Sequence, residues 1–387
     1  MSMAQVKPPF ETFARIKVVG LGGAGNKMIQ RMMDSKIHGV DFVAINLDAQ
    51  DLNIASAPTK LLIGKNLTRG LGAGMNPEVG RQATEDSRDE IFETLKGSDM
   101  VFITAGMGGG TGTGGAAVVA EIAREVGALT VAVVTKPFSF EGAARSRIAE
   151  DGWHILRDKV DALITIRNDS IFSMIDRKTP LLDAFKKVDD VLRQGVQGIS
   201  DLITIPGIIN VDFADVKTIM SNSGSALMGI GFASGEDRAI EAAKLAINSP
   251  LLDLSINGAQ GVLFNIAGGA DLSMAEINEA AKVITENINP DAKVIFGAVQ
   301  DDKLKKGEIK ITVIATGFNN GLSRPANAPH TSPSLFEDVR PIASVSSNGN
   351  ISTATKVQPT VKEFVDADLD EDKDDFDIPA FIRRKMK

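Results

Sequence analysis

The sequence predicts an α/β protein: a Rossmann-like parallel sheet, a long central helix, a smaller α+β domain, a disordered linker and a short C-terminal peptide. Three observations carry this. Strand runs into glycine loop and then helix at 16–33 and 100–123, and a further glycine loop opens a helix at 70–77. Apolar residues recur at helical spacing from about 180 to 203. Past 225 the chain changes to short strands with two helices.

At 387 residues the chain has room for about two to three domains. Apolar content of 43% with 5% aromatics suits an ordinary soluble α/β protein. The absence of cysteine excludes disulfides and thiolate metal sites, and histidines scattered at 38, 154 and 330 argue against structural zinc. A formal charge of -8 argues against nucleic acid as a partner. No apolar run approaches the ~20 residues that cross a bilayer. Residues 1–15 lack a signal-peptide core. The expectation is a cytoplasmic protein without direct membrane insertion.

The first strand, 16–19, meets Gly20, Gly22 and Gly25, which fit G-x-G-x-x-G, and a helix over 27–33 follows. Strand 41–47 ends at Asp48, where a nicotinamide-dependent oxidoreductase would bind ribose. A P-loop is excluded, because Asn26 stands where its lysine belongs. After strand 60–63 comes Gly70-Leu71-Gly72-Ala73-Gly74-Met75-Asn76-Pro77, whose proline suits the first turn of a helix. Strand 100–103 leads into the richest glycine run, 104–115, and an apolar helix over 116–123. Its glycines let backbone N–H groups close on an anion, and Thr111 and Thr113 add hydroxyls. Glycine loops at one pole of a sheet converge on the crevice where open α/β folds bind ligands.

Strand 129–135 precedes Glu141 and Arg145, whose spacing also allows a plain helical ion pair. Strand 162–166 ends at Asn168. Thr179 and Pro180 start a helix of about 24 residues, ~36 Å long, enough to join two domains. Gly195 and Gly198 inside it imply close packing. Then come Asn210, Asp212 and Asp215; one of the first two suits a helix cap, and together they suit orientation of a water or metal. Strands over 227–233, 261–267, 293–299 and 309–316, with helices over 239–248 and 274–287, complete the smaller domain. Residues 319–375 read as a disordered linker, ending in acid. In the final peptide Ile378, Phe381 and Ile382 share a helical face beside Asp377, Pro379 and Arg383, a docking pattern on a tether.

GLGGAGN, GLGAGMNPEVG, GMGGGTGTG, PFSFEGAARSR, DDVLRQGVQGISDLI, NVDFADV and DIPAFIRRK, in this order, resemble the tubulin/FtsZ family over about 13–318 and the last dozen residues. The resemblance implies a GTP-binding domain (13–178, after an N-terminal extension, 1–12), a central helix (179–203), a catalytic loop and helix (204–224), a C-terminal domain (225–318), the linker, and a partner-binding tail (376–387). It also implies a GTPase that polymerises head-to-tail into filaments of a bacterial division ring at midcell, beneath the inner membrane. Its ligands would be GTP and GDP, with Mg2+ held mainly through phosphates and water. Its partners would be itself and membrane-tethering or regulatory division proteins on the tail.

By position, Gly22, Gly23, Ala24, Gly25 and Asn26 would form the first nucleotide loop. Ala73, Gly74, Met75 and Asn76 would lie near the terminal phosphate. Gly106, Gly108, Gly109, Gly110, Thr111, Gly112 and Thr113 would cradle phosphates. Glu141 and Arg145 would meet the sugar, with Asn168 at the same site. Phe185 would stack on guanine and Asp190, or its neighbour Asp189, would read its N–H groups. Asn210, Asp212 and Asp215 would enter the next subunit's site and position water. Ala24 and Met75 depart from commoner smaller residues, and Ala24 requires a negative φ. An NAD(P)-dependent oxidoreductase and a nucleotide-binding scaffold without turnover are the alternatives.

Overall fold

The computed structural model describes residues 14–318 except 38, 174, 176–177, 206, 250–255 and 302–303, and not the side chains of 181 and 182. The expected linker and the tail residues 377–383 lie outside the described residues.

The N-terminal half alternates strands and helices: β1 (Ile16–Leu21), α1 (Gly22–Asp34), β2 (Val40–Asn46), α2 (Ala49–Ile54), β3 (Thr59–Leu62), α3 (Lys65–Thr68), α4 (Pro77–Asp86), α5 (Arg88–Leu95), β4 (Met100–Gly106), α6 (Thr111–Glu125), β5 (Leu129–Lys136), α7 (Ala143–Arg157) and β6 (Ala162–Arg167). The central helix α8 (Leu181–Thr204) and α9 (Phe213–Met220) follow. Then come β7 (Gly224–Ser234), α10 (Arg238–Ile247), β8 (Gly261–Gly268), α11 (Met274–Thr285), β9 (Lys293–Gln300) and β10 (Glu308–Thr316). Strands β4 and β5 are almost wholly apolar and buried on both faces, as a parallel sheet between two helical layers requires.

The strands form one sheet in the order β3-β2-β1-β4-β5-β6-β7-β10-β8-β9. β1 to β6 are parallel, the expected Rossmann-like arrangement. The expected boundary at 224/225 does not break the sheet: β7 begins in parallel beside β6 (Ala162↔Gly224 to Ile164↔Ala226) and continues antiparallel to β10. The sheet's antiparallel and parallel mixture in the second half confirms an α+β character.

Helix α8 is 24 residues long, as its apolar repeat predicts. Val188, Leu192, Val196 and Ile199 join a single core with Val18 and Phe102 on one side and Met228, Leu263 and Ile314 on the other. A Cβ at Gly195 would fall 2.5 Å from Met228 Sδ, and one at Gly198 would fall 2.9 Å from Thr312 Cγ2. Alanine recovers about 1 kcal/mol of helix propensity at either position. The Met228 thioether can swing away, whereas the short β-branched Thr312 cannot. Thermal denaturation should therefore find Gly195→Ala near neutral and Gly198→Ala destabilising.

Candidate functional site

The crevice lies where β1 has β2 on one side and β4 on the other, Leu21 standing opposite Ala105 at the strand ends. This is the switch point at which open α/β sheets receive ligands. Helix α1 opens there at Gly22 (φ 71°), and α6 opens at Thr111. Their unpaired first-turn N–H groups make the pole attractive to anions.

Two sequence expectations are corrected here, both helix starts: α1 begins at Gly22, five residues before the expected 27, so Gly22, Gly23 and Gly25 are helical. Helix α6 starts at Thr111, five residues before the expected 116, so Gly112, Gly114 and Gly115 are helical and the loop proper is Met107–Gly110 in extent, 107–110. Those glycines answer a neighbour: a Cβ on Gly114 would fall 1.8 Å from Pro77 O, and one on Gly80 would fall 2.2 Å from Gly110 O. Helices α4 and α6 thus touch backbone to backbone, and the loop 73–76 is keyed directly to the phosphate cradle. Thr113 also has a structural task that its hydroxyl donor does not exclude. Its Oγ1 accepts from Gly108 N–H at 2.9 Å and pins the loop, while Thr111 is the half-buried hydroxyl at the helix start.

A cleft of about 640 Å³ runs from this pole. Gly23, Ala24, Lys27 and Arg31 of α1 line one wall; Gly106, Met107, Thr135 and Pro137 the floor; Glu141, Arg145, Asn168, Phe185 and Asp189 the rest. Ala24 has the negative φ its methyl requires, and that methyl occupies the space a Cβ on Gly106 would need. Met75 is left-handed at φ 61° and exposed.

The polar chemistry of the cleft is incomplete within the chain. In the lining, Asn168 is 7% exposed and its Oδ1 lacks a hydrogen-bond partner, as does Arg145 Nε; Asn26, on α1 between the lining residues Ala24 and Lys27, is 4% exposed and neither of its amide atoms is partnered. Each such buried group costs about 1–3 kcal/mol. Glu141 and Arg145 do form the ion pair their spacing allows, at 3.0 Å, and Glu141 also accepts from Phe138 N–H at 2.8 Å. Pairing and site lining are therefore compatible rather than alternatives. Phe185 packs edge-on to Phe138, with ring centroids 5.4 Å apart, and keeps exposed surface in the cleft.

Of the two candidate acids on α8, the structure brings Asp189 to the cleft and not Asp190. Asp189 pairs with Arg31 at 2.6 Å. Burial pushes its carboxyl above the usual range, against the pull of Arg31 and Lys27. Asp190 instead holds Arg193 at 2.7 Å and Gln194 at 2.7 Å on its own helix.

Asn210, Asp212 and Asp215 are exposed and absent from the cleft's lining. Asp212 caps α9, accepting from Ala214 N–H at 2.9 Å, while Asn210 accepts from Gly207 N–H at 2.6 Å. Phe185 and Asp189 lie in the first three turns of α8, and Asp212 follows its far end, roughly 22–29 Å of helix away at 1.5 Å per residue. The acids cannot reach their own cleft. Asp48 caps α2, its Oδ1 accepting from the Gln50 and Asp51 N–H groups, a structural role that accounts for the acid at this strand end without a ribose. Lys27, Arg31, Met107, Thr135 and Pro137 line the cleft without having been singled out; for Lys27 and Arg31 the signal was their i,i+4 spacing just after the first glycine loop.

Residues 15–176 match the GTPase domain of the Tubulin/FtsZ family, and residues 224–319 match the FtsZ family C-terminal domain. An empty FtsZ dimer from M. jannaschii is 48% identical, with 80% of this chain and 89% of that chain aligned and a TM-score of 0.76. A point mutant of M. jannaschii FtsZ is likewise 48% identical over 79% of this chain and 92% of that one, TM-score 0.76. CetZ2 from Haloferax volcanii, as a GTPγS-bound protofilament, shares the fold at 21% identity, TM-score 0.68, over 78% of this chain and 92% of that one.

Proposed function

The chain belongs to the tubulin/FtsZ family, and from that premise we propose that it binds GTP in the α1–α6 cleft and hydrolyses it only when assembled head-to-tail with copies of itself. One observation carries the reading. The starts of α1 and α6 meet at the pole from which the cleft runs, with the unpartnered amides of Asn26 and Asn168 on α1 and in the lining, while Asp212 and Asp215 stand exposed beyond the opposite end of α8. A second copy placed along the helix direction would bring those acids to the first copy's terminal phosphate.

In that arrangement the first turns of α1 and α6 and the loop 107–110 hold the phosphates, and the keyed loop 73–76 meets the terminal one. Phe185 stacks on the base and Asp189 accepts from its ring N–H groups. The neighbour's Asn210, Asp212 and Asp215 orient water in line with the terminal phosphate. Among the described residues no cluster of three acids or histidines gathers. Mg2+ would be held by phosphate oxygens and water, as this ion commonly is beside nucleotides, where it neutralises phosphate charge. The cellular role we assign is a filament of the bacterial division ring at midcell. Residues 377–383 of the tail would bind a membrane-tethering partner. No described helix is long and apolar enough to cross a membrane.

The test is phosphate release from GTP across a protein concentration series, paired with sedimentation. Turnover per subunit should rise sharply at the concentration where pelletable filaments appear. A constant rate per subunit would place the whole active site in one chain. Filaments without phosphate release would favour the scaffold alternative.

A further inference from the structure

Arg31 stands in the wall between two cavities. On one side is the cleft, and on the other a hollow of about 480 Å³ lined by Asp34, Ser35, Asp183, Lys186, Lys187, Asp190 and Arg193. Two cations beside it in that hollow are paired elsewhere: Lys186 with Asp183 at 2.7 Å, and Arg193 with Asp190 at 2.7 Å. Across the cleft Glu141 and Arg145 hold each other. Arg31 pairs with Asp189 on α8 at 2.6 Å, and Lys27, one helical turn earlier on the same face of α1, also bears on it.

We propose that Arg31, supported by Lys27, is the positioning residue that fixes the Asp189 carboxylate as an acceptor for guanine and so sets the purine selectivity of the cleft. The inference rests on the guanine-nucleotide reading above and adds to it a residue that need not touch the base. A fixed carboxylate accepts from the N1–H and N2 amino group of guanine, two charge-assisted hydrogen bonds. Adenine offers a bare acceptor at N1, which the same carboxylate repels. A protonated Asp189 reverses this, because it can donate to adenine N1 while losing an acceptor for guanine. Burial favours the protonated form, and Arg31 is the contact that opposes it.

The sign follows. Removing Arg31 raises the Asp189 pKa further, so the acid limb of GDP binding moves to higher pH. Calorimetry with GDP and ADP should be run between pH ~5 and ~8, a range set by ordinary carboxylates and histidine. Arg31→Met should lose roughly tenfold to a hundredfold in GDP affinity near neutrality, with the deficit growing as pH falls and closing as it rises. Selectivity over ADP should shrink with it, and Arg31→Lys should restore both. If the unpaired acid destabilises Arg31→Met, the double variant Arg31→Met/Asp189→Asn serves instead: it should bind GDP weakly with no pH dependence from this site. No loss, or a loss in Arg31→Met that is independent of pH, overturns the proposal. A native chain that prefers ADP, or neither nucleotide, overturns the guanine reading itself.

Discussion

Asn26→Ala should leave the nucleotide-free protein at least as heat-stable as the unaltered chain, while removing most of its stabilisation by GDP. Burying an amide with neither atom bonded costs free energy, and the substitution removes that cost. It also replaces asparagine by the best helix former inside α1, a gain of about half a kcal/mol. The side chain is therefore kept for something the empty fold does not supply. Ligand at a hundred times its Kd stabilises by about 2.7 kcal/mol, and a hundredfold weaker Kd leaves only about 0.4 kcal/mol of that. Paired melting curves with and without GDP read both halves of the prediction. A less stable empty protein with an unchanged GDP shift would make Asn26 a structural residue.

The strands, α4 with its Asn76 cap and the length of α8 were legible because each follows from periodicity and local capping. The start of α6 was not, because glycine has a low helix propensity and its reason for being at 112 and 114 lies in α4 and β4, distant in sequence. The same holds for Thr113, whose hydroxyl oxygen accepts from a backbone N–H five residues earlier. The choice between Asp189 and Asp190 was legible in principle. At 100° per residue, Asp189 lies about 40° from Phe185 around α8 and Asp190 about 140° away, so only one can share its face. The continuity of the sheet through β7 left no mark, since a strand's pairing partners are not written in its own alternation.

Asp212→Asn should lose at least about a hundredfold in GTP turnover and keep nucleotide binding, and an equal mixture with Asn26→Ala should recover activity that neither variant has alone. Asparagine caps a helix as well as aspartate does, so α9 keeps its bond from Ala214 N–H and only the charge is lost. The two variants damage opposite ends of α8. One has an intact cleft and inert acids; the other has intact acids and a cleft that holds nucleotide about a hundredfold more weakly. In a head-to-tail interface the cleft comes from one copy and the acids from the next, so random mixing gives about a quarter of interfaces two intact halves. The mixture should accordingly turn over at about a quarter of the rate of the unaltered chain in equal filament mass, a proportion that follows from the heterologous interface alone. Cosedimentation of labelled Asn26→Ala checks that both variants enter the filaments. Turnover no greater than the mean of the two separate variants, in filaments containing both, would mean that each cleft is served by the acids of its own chain, against the length of α8.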